Sequence, residues 1–535
     1  MQDTNDDDRR HEPLPLDNLT PAELRQVIDR LDAKLAANPG DAGALVVRGL
    51  CHRNLGDDRR AVDDFTSAIV IDSANADARH YRAVSSAELG DHRLAVEDFD
   101  AVLGLDPDDS LAYANRAKSR AELGDTAGAF EDCDAAIGLD PTDPLTYYNR
   151  GCLHAAEGRP RQAVLDFDRA IRRDPALTRA YHNRGVAHRD LGDLERAVQD
   201  FGSAIELEPL NNLSRYARAT TALNLGRHDE ALRDLDAVLE LDPDHAGALR
   251  SRGMALDCLG RHGESLAAFD RSLALDPGNA ETLTARGIAH VSLERYKEAV
   301  DDYGAALALD PGNLQLRYDR GTALMRLDED ERAVGDFDAI LAAEPDHAGA
   351  LFARAAALLA VERSEEALAD LDRVVELEPA EDTAVHYLRG CAHVQLERHG
   401  EAIEEFGRAL ALNPNDVHSL HNRGATYLHL EEPERALRDY SRLVRLEPRD
   451  GDARRYRGMA LADLGRHAEA VRDFNRAIAL DAEDADAYHE RGLARKALGE
   501  HAGAKEDTER AASLKLEYRT ECDDADSGGD RAGSG

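Results

Sequence analysis

Residues 178–211 read TRAYHNRGVAHRDLGDLERAVQDFGSAIELEPLN, and this stretch decides the fold. It holds two apolar-periodic helical segments separated by a glycine-containing turn, and the second segment ends at a proline. Tyr181, Gly185, Ala187 and Leu191 recur at helical spacing on one face of the first segment. Ala197, Phe201, Ala204 and Ile205 do the same in the second. Small residues at Gly185 and Ala197 allow the two helices to approach closely, and Phe201 fills the space beside them. A hairpin of this size cannot bury its own apolar face, so it must stack on copies of itself.

Those copies lie on both sides. Laid out in rows of 34, the chain repeats Arg-Gly or Arg-Ala from Arg48-Gly49 to Arg491-Gly492. The small position after the arginine is filled in all fourteen rows, ten times by Gly. Twelve residues on stands an alanine in thirteen rows and Ser265 in the other, and the closing proline is present in eleven, from Pro107 to Pro448. This pattern resembles the tetratricopeptide repeat family over roughly residues 42–518, with one extra residue near 380–382. The resemblance implies an all-α, right-handed α-α superhelical solenoid of about fourteen hairpins.

Residues 1–19 are expected to be a disordered acidic N-terminus, and residues 519–535 a disordered tail. Residues 20–41 are expected to hold a capping helix, with Thr20 as N-cap, Pro21 in the first turn and Glu23 completing a capping box.

Two departures from the family pattern stand out. The residue before the Gly/Ala, usually leucine in these repeats, is arginine in all fourteen rows. The residue before the aromatic position is acidic in thirteen, with Ala268 the exception. These positions fall on facing helices of one hairpin, so an internal Arg–Asp ladder is expected, for example Arg184 with Asp200. In rows eight to twelve the turn glycine becomes Glu294, Asp328, Glu362, Glu397 and Glu431. Either the turn takes another backbone conformation there, or a partner surface begins.

The resemblance places peptide binding in a concave groove lined by the first helices, at the second, fifth, sixth, ninth, twelfth and thirteenth positions of each row. Those positions carry eleven acids and eight bases here, so the acidity of the chain lies mostly elsewhere. The fifth position forms a stripe that includes Tyr148, His182, Tyr216, Tyr318, Phe352, Tyr387 and His421. Flat amphipathic rings suit peptide contact, and they also suit packing between adjacent first helices. At the sixth position stand Asn115, Asn149 and Asn183 in successive rows, and Asn422 later. They resemble a short version of the asparagine ladder in O-linked N-acetylglucosamine transferases, whose amides can read a peptide backbone. The alternative is a set of solvated polar residues. The lysines and asparagines of the clamp that holds heat-shock chaperone C-termini in some family members are not evident.

Composition narrows the function. The 535 residues carry 66 basic against 106 acidic side chains, a net charge of −40, with no tryptophan. Such a surface repels phosphate backbones and anionic lipid, so neither nucleic acid nor membrane is expected as a partner. No long apolar run and no apolar leader stretch is present, which suggests a cytoplasmic protein. The six cysteines form no CxxC pair and no phosphate-binding, nucleophile-elbow or HExxH motif occurs, so no metal, cofactor or catalytic residue is expected. The reading is an adaptor or scaffold that binds an extended segment of a partner protein. The alternative is a regulatory receptor whose superhelix changes shape on binding a signalling peptide.

Overall fold

A computed structural model describes residue 16, residues 18–378 and residues 382–515. Most of the expected acidic terminus, most of the extra-residue segment, and the tail with Cys522 lie outside the described residues. Among the described residues there is one helix, Pro21–Ala37, followed by fourteen helical hairpins and no strand. The hairpins run from Ala42–Asn54 with Asp58–Ile71 to Ala485–Ala497 with His501–Leu514. The chain divides between Leu275 and Asp276 into two units of seven hairpins each. Within each unit, every hairpin packs on its neighbours in the chain.

Local chemistry sets the helix ends. Thr20 Oγ1 accepts from the Glu23 N–H, and the Thr20 N–H donates to the Glu23 carboxylate at 2.7 Å, so the first helix begins in a closed capping box. The fifth hairpin, Thr178–Asp190 and Leu194–Leu207, shows how the turn works. The N–H of Gly192 donates to the Arg189 carbonyl, and that of Asp193 donates to the His188 carbonyl. This is a Schellman closure, which needs a left-handed residue at Gly192, where φ is 78°. Asp193 then caps the second helix by accepting from the Arg196 N–H. Leu191, read as part of the inner face, sits at this turn and is exposed.

In hairpins eight to twelve the five acidic residues take the same left-handed conformation, with φ between 57° and 59°. The same closure forms around them: the Arg295 N–H donates to the His290 carbonyl at 2.9 Å, and the Arg398 N–H to the His393 carbonyl at 2.8 Å. A different backbone conformation, one of the two explanations above, is therefore wrong. The two helices dictate the turn, and these acids tolerate a conformation that costs an L-residue roughly 1–2 kcal/mol.

The core of ten of the fourteen hairpins is a ring laid on a small residue. Phe201 is fully buried, and a Cβ added to Gly185 would lie 2.8 Å from its ring. The same contact recurs at Gly49–Phe65, Gly151–Phe167, Gly253–Phe269, Gly287–Tyr303, Gly321–Phe337, Gly390–Phe406, Gly424–Tyr440 and Gly458–Phe474. Where alanine replaces that glycine, the opposing residue is smaller in three hairpins out of four: Ala117 with Cys133, Ala219 with Leu235, Ala355 with Leu371. Ala83 with Phe99 is the exception. Burying one such ring contributes about 1.5–3 kcal/mol.

The arginines bind more than their own hairpin. Arg184 Nε and Nη2 donate to the two oxygens of Asp200 at 2.9 and 2.5 Å. Its Nη1 donates to Asp168, in the second helix of the preceding hairpin, at 2.5 Å. Arg116 joins Asp132 to Asp100, Arg150 joins Asp166 to Asp134, and Arg354 joins Asp370 to Asp338 in the same way. Each of these guanidiniums pins three helices, its bidentate fork on one carboxylate and its third nitrogen on the next. Arg252 faces Ala268 instead of an acid and bonds Asp236 of the preceding hairpin at 2.7 Å. Asp200 is 5% exposed, so its charge depends on the guanidinium for compensation.

Candidate peptide-binding face

The residues read as groove positions lie on the first helices, but most of them are half-buried between neighbours rather than open to solvent. Tyr148 packs against Phe167 of its own hairpin with ring centroids 5.9 Å apart, His182 against Phe201 at 5.4 Å, Tyr318 against Phe337 at 5.8 Å, and Tyr387 against Phe406 at 6.1 Å. His421 meets Tyr440 at 5.8 Å and Tyr456 of the next hairpin at 5.1 Å. Tyr216 lies 4.9 Å from His245, the residue that caps the following hairpin. Phe352 and Tyr318 both line a cavity of about 480 Å³ with Val374, Val385 and Arg389.

These contacts leave a titration signature. Burial pushes the Tyr148 and Tyr387 hydroxyls up to about 12 and holds the His182 and His421 imidazoles below the usual histidine range. His182 Nδ1 pairs with Ser214 Oγ of the next hairpin at 2.9 Å, a partner that no single row reveals. The stripe therefore welds one hairpin to the next as well as presenting ring edges.

The four asparagines do not share one environment. Asn183 Nδ2 donates to Tyr148 Oη at 3.1 Å and to Cys152 Sγ at 3.4 Å. Asn422 repeats this with Tyr387 Oη at 3.2 Å and Cys391 Sγ at 4.0 Å. In both cases the sixth position of one hairpin clasps the fifth and ninth of the hairpin before it. Asn115 and Asn149 are half-buried like the other two but make no side-chain hydrogen bond among the described residues. Their predecessors at the fifth position are His80 and Ala114, and neither carries a phenol.

Between the first helices Ser110–Glu122 and Pro144–Ala156 lies a cavity of about 340 Å³ lined by Asn149, Lys118, Cys133 and Cys152. The signal was present in the third row, which has cysteine where its neighbours carry phenylalanine. Among the described residues no group of three His, Cys, Asp or Glu side chains is placed to hold a metal ion. No described helix is long and apolar enough to cross a membrane.

Repeating hairpins, a ring on a small residue in ten of them and a left-handed turn in all fourteen define a helical-repeat interaction protein. The tetratricopeptide repeat model matches residues 82–144, 148–211, 216–280, 284–348 and 318–382, and related models of the same description match 383–416, 405–438 and 424–489. The chain belongs to the tetratricopeptide repeat family. Among curated proteins none matches it. Of solved structures, it is similar to YrrB, described as a TPR protein with an unusual peptide-binding site, at 23% identity over 34% of this chain and 95% of that one, with a TM-score of 0.32. A tetratricopeptide repeat protein from Parabacteroides merdae is 20% identical over 46% of this chain and 98% of that one, with a TM-score of 0.36. In the APC/C hetero-tetramer Cut9-Hcn1 the matched chain is 15% identical, over 85% of this chain and 96% of that one, with a TM-score of 0.36. The repeats make this a protein-interaction scaffold.

Proposed function

We propose that the chain is an adaptor that holds an extended segment of a partner protein along the first helices of hairpins three to six, and that it works by binding rather than by catalysis. The observation that carries this reading is the pair Asn115 and Asn149. Their side chains stand in successive hairpins on one face, half-buried and without a hydrogen-bond partner among the described residues. An extended peptide offers a carbonyl and an N–H at each residue, and a primary amide can bond both. The neighbouring rings of Tyr148, His182 and Tyr216 supply contact area already held in place, so little entropy is lost on binding. The five cysteines of the described residues are free thiols, which suits a cytoplasmic setting.

The test is capture of partners from a cell extract on the immobilised chain and on the Asn115→Ala/Asn149→Ala/Asn183→Ala variant, with cross-links mapped on the captured complex. A partner that cross-links to the first helices of hairpins three to six and is lost from the variant supports the reading. Cross-links confined to second helices, or capture unchanged by the variant, would overturn it.

A further inference from the structure

The third hairpin lacks two rings that its neighbours have. At the buried ring position Phe65, Phe99, Phe167 and Phe201 surround Cys133 in the series, and Cys133 faces Ala117. At the fifth position of the first helix it carries Ala114, where the fourth hairpin has Tyr148. The cavity of about 340 Å³ lies against Cys133, where the buried ring is missing. Its apolar lining includes Ala117, Ala121, Cys133 and Cys152, and its polar groups are Asn149, Lys118, Thr126, Glu122 and Glu157. Burial pushes the Cys133 thiol up to about 12, so it is protonated and uncharged at neutral pH.

The chain itself shows what such a space accepts. One hairpin further on, a phenol lies beside the ring equivalent to Cys133: Tyr148 packs against Phe167, and its oxygen accepts from Asn183 Nδ2. Tyr387, Phe406 and Asn422 repeat the arrangement in the second unit. Asn149 is the equivalent asparagine for the third hairpin, but the tyrosine that would satisfy it is absent from the chain. We propose that this cavity takes a tyrosine side chain from the partner segment, its ring seated over Ala117 and Cys133 and its hydroxyl oxygen accepting from the Asn149 amide. The inference rests on the binding face proposed above and names the anchor residue it selects. A cavity of this size admits one aromatic side chain, and its single unpaired amide distinguishes a phenol from a plain benzene ring.

The test uses p-cresol and toluene, the side chains of tyrosine and phenylalanine, as probes of the full chain by ligand-observed NMR titration. The expected result is millimolar binding of p-cresol, several-fold tighter than toluene. Asn149→Ala should bring p-cresol down to the toluene level. Cys133→Phe should abolish binding of both probes while leaving or raising the melting temperature, because Ala83 already accommodates Phe99 in the second hairpin. Should that variant fail to fold, Cys133→Leu repeats the pairings Ala219–Leu235 and Ala355–Leu371 and should weaken both probes. No p-cresol binding to the wild-type chain, or binding that survives the filled cavity, overturns the proposal. Either result would leave the adaptor reading standing if the triple asparagine variant still lost its partner. Loss of the adaptor reading with p-cresol binding intact would separate the two the other way.

Discussion

Gly185→Ala tests the packing contact shared by the nine hairpins that set a ring on a glycine. Elsewhere in a helix this change stabilises, by about 0.5–1 kcal/mol, because glycine loses more backbone freedom on folding. Here the new methyl would sit 2.8, 3.0 and 3.1 Å from three ring carbons of Phe201. That ring is fully buried, so it has no open space to retreat into. Overpacking of this kind costs about 1–3 kcal/mol, which leaves a net loss of about 0–2.5 kcal/mol after the helix gain is subtracted. The pairings Ala219–Leu235 and Ala355–Leu371 indicate the remedy: Phe201→Leu should remove most of the clash. The double variant should then be more stable than the two single changes added together, by a coupling of about 1 kcal/mol. Stacked repeats do not unfold in one step, so the assay is hydrogen exchange resolved on residues 178–190 and 194–207 rather than a single global melt. A Gly185→Ala chain that gains the full helix increment, with no coupling to Phe201→Leu, would refute the claim that the ring confines this position.

Three further outcomes follow from the same geometry. Arg184→Leu leaves buried Asp200 without its guanidinium and should cost about 3–5 kcal/mol, whereas Arg184→Leu/Asp200→Leu should recover most of it; equal losses in local exchange would show that the carboxylate needs no partner. Glycine in place of Glu294, Asp328, Glu362, Glu397 and Glu431 should raise stability by about 1 kcal/mol per site, read as a higher melting temperature of the five-fold variant. An unchanged or lower value would mean that the acidic side chains stabilise their turns. Burial lowers the pKa of His154, His182, His290, His393 and His421 below 6.5, so each binds its proton more weakly folded than unfolded. Their contribution to stability is complete above pH 6.5 and is lost as the pH falls below it. Melting temperatures should drop from pH 7 to pH 5.5, and a flat profile would contradict the assignment.

The repeat length, the helix pairs, the capping box at Thr20 and the pairing of a small residue with a ring were all legible in the rows, because each is written within one hairpin. Caps and turns depend on residues three to five apart, and the Gly185–Phe201 contact joins two helices linked by a short turn whose closure is itself encoded. The Arg184–Asp200 pair was legible for the same reason. The contacts between hairpins were not legible in this way. Asp168 reaches Arg184 from the hairpin before, and Tyr148 reaches Asn183 across 35 residues of sequence. His182 finds Ser214 in the hairpin after. No single row carries these contacts, since they are set by how far one hairpin rotates and slides on the next. The groove asparagines illustrate the consequence: alike in sequence, they divide in space into two that clasp a tyrosine and two that do not, because the residue that decides the matter belongs to the neighbouring repeat. The acidic turns show the reverse case, in which side chains that vary from glycine to glutamate keep one backbone conformation because the two helices they join leave the chain no other path.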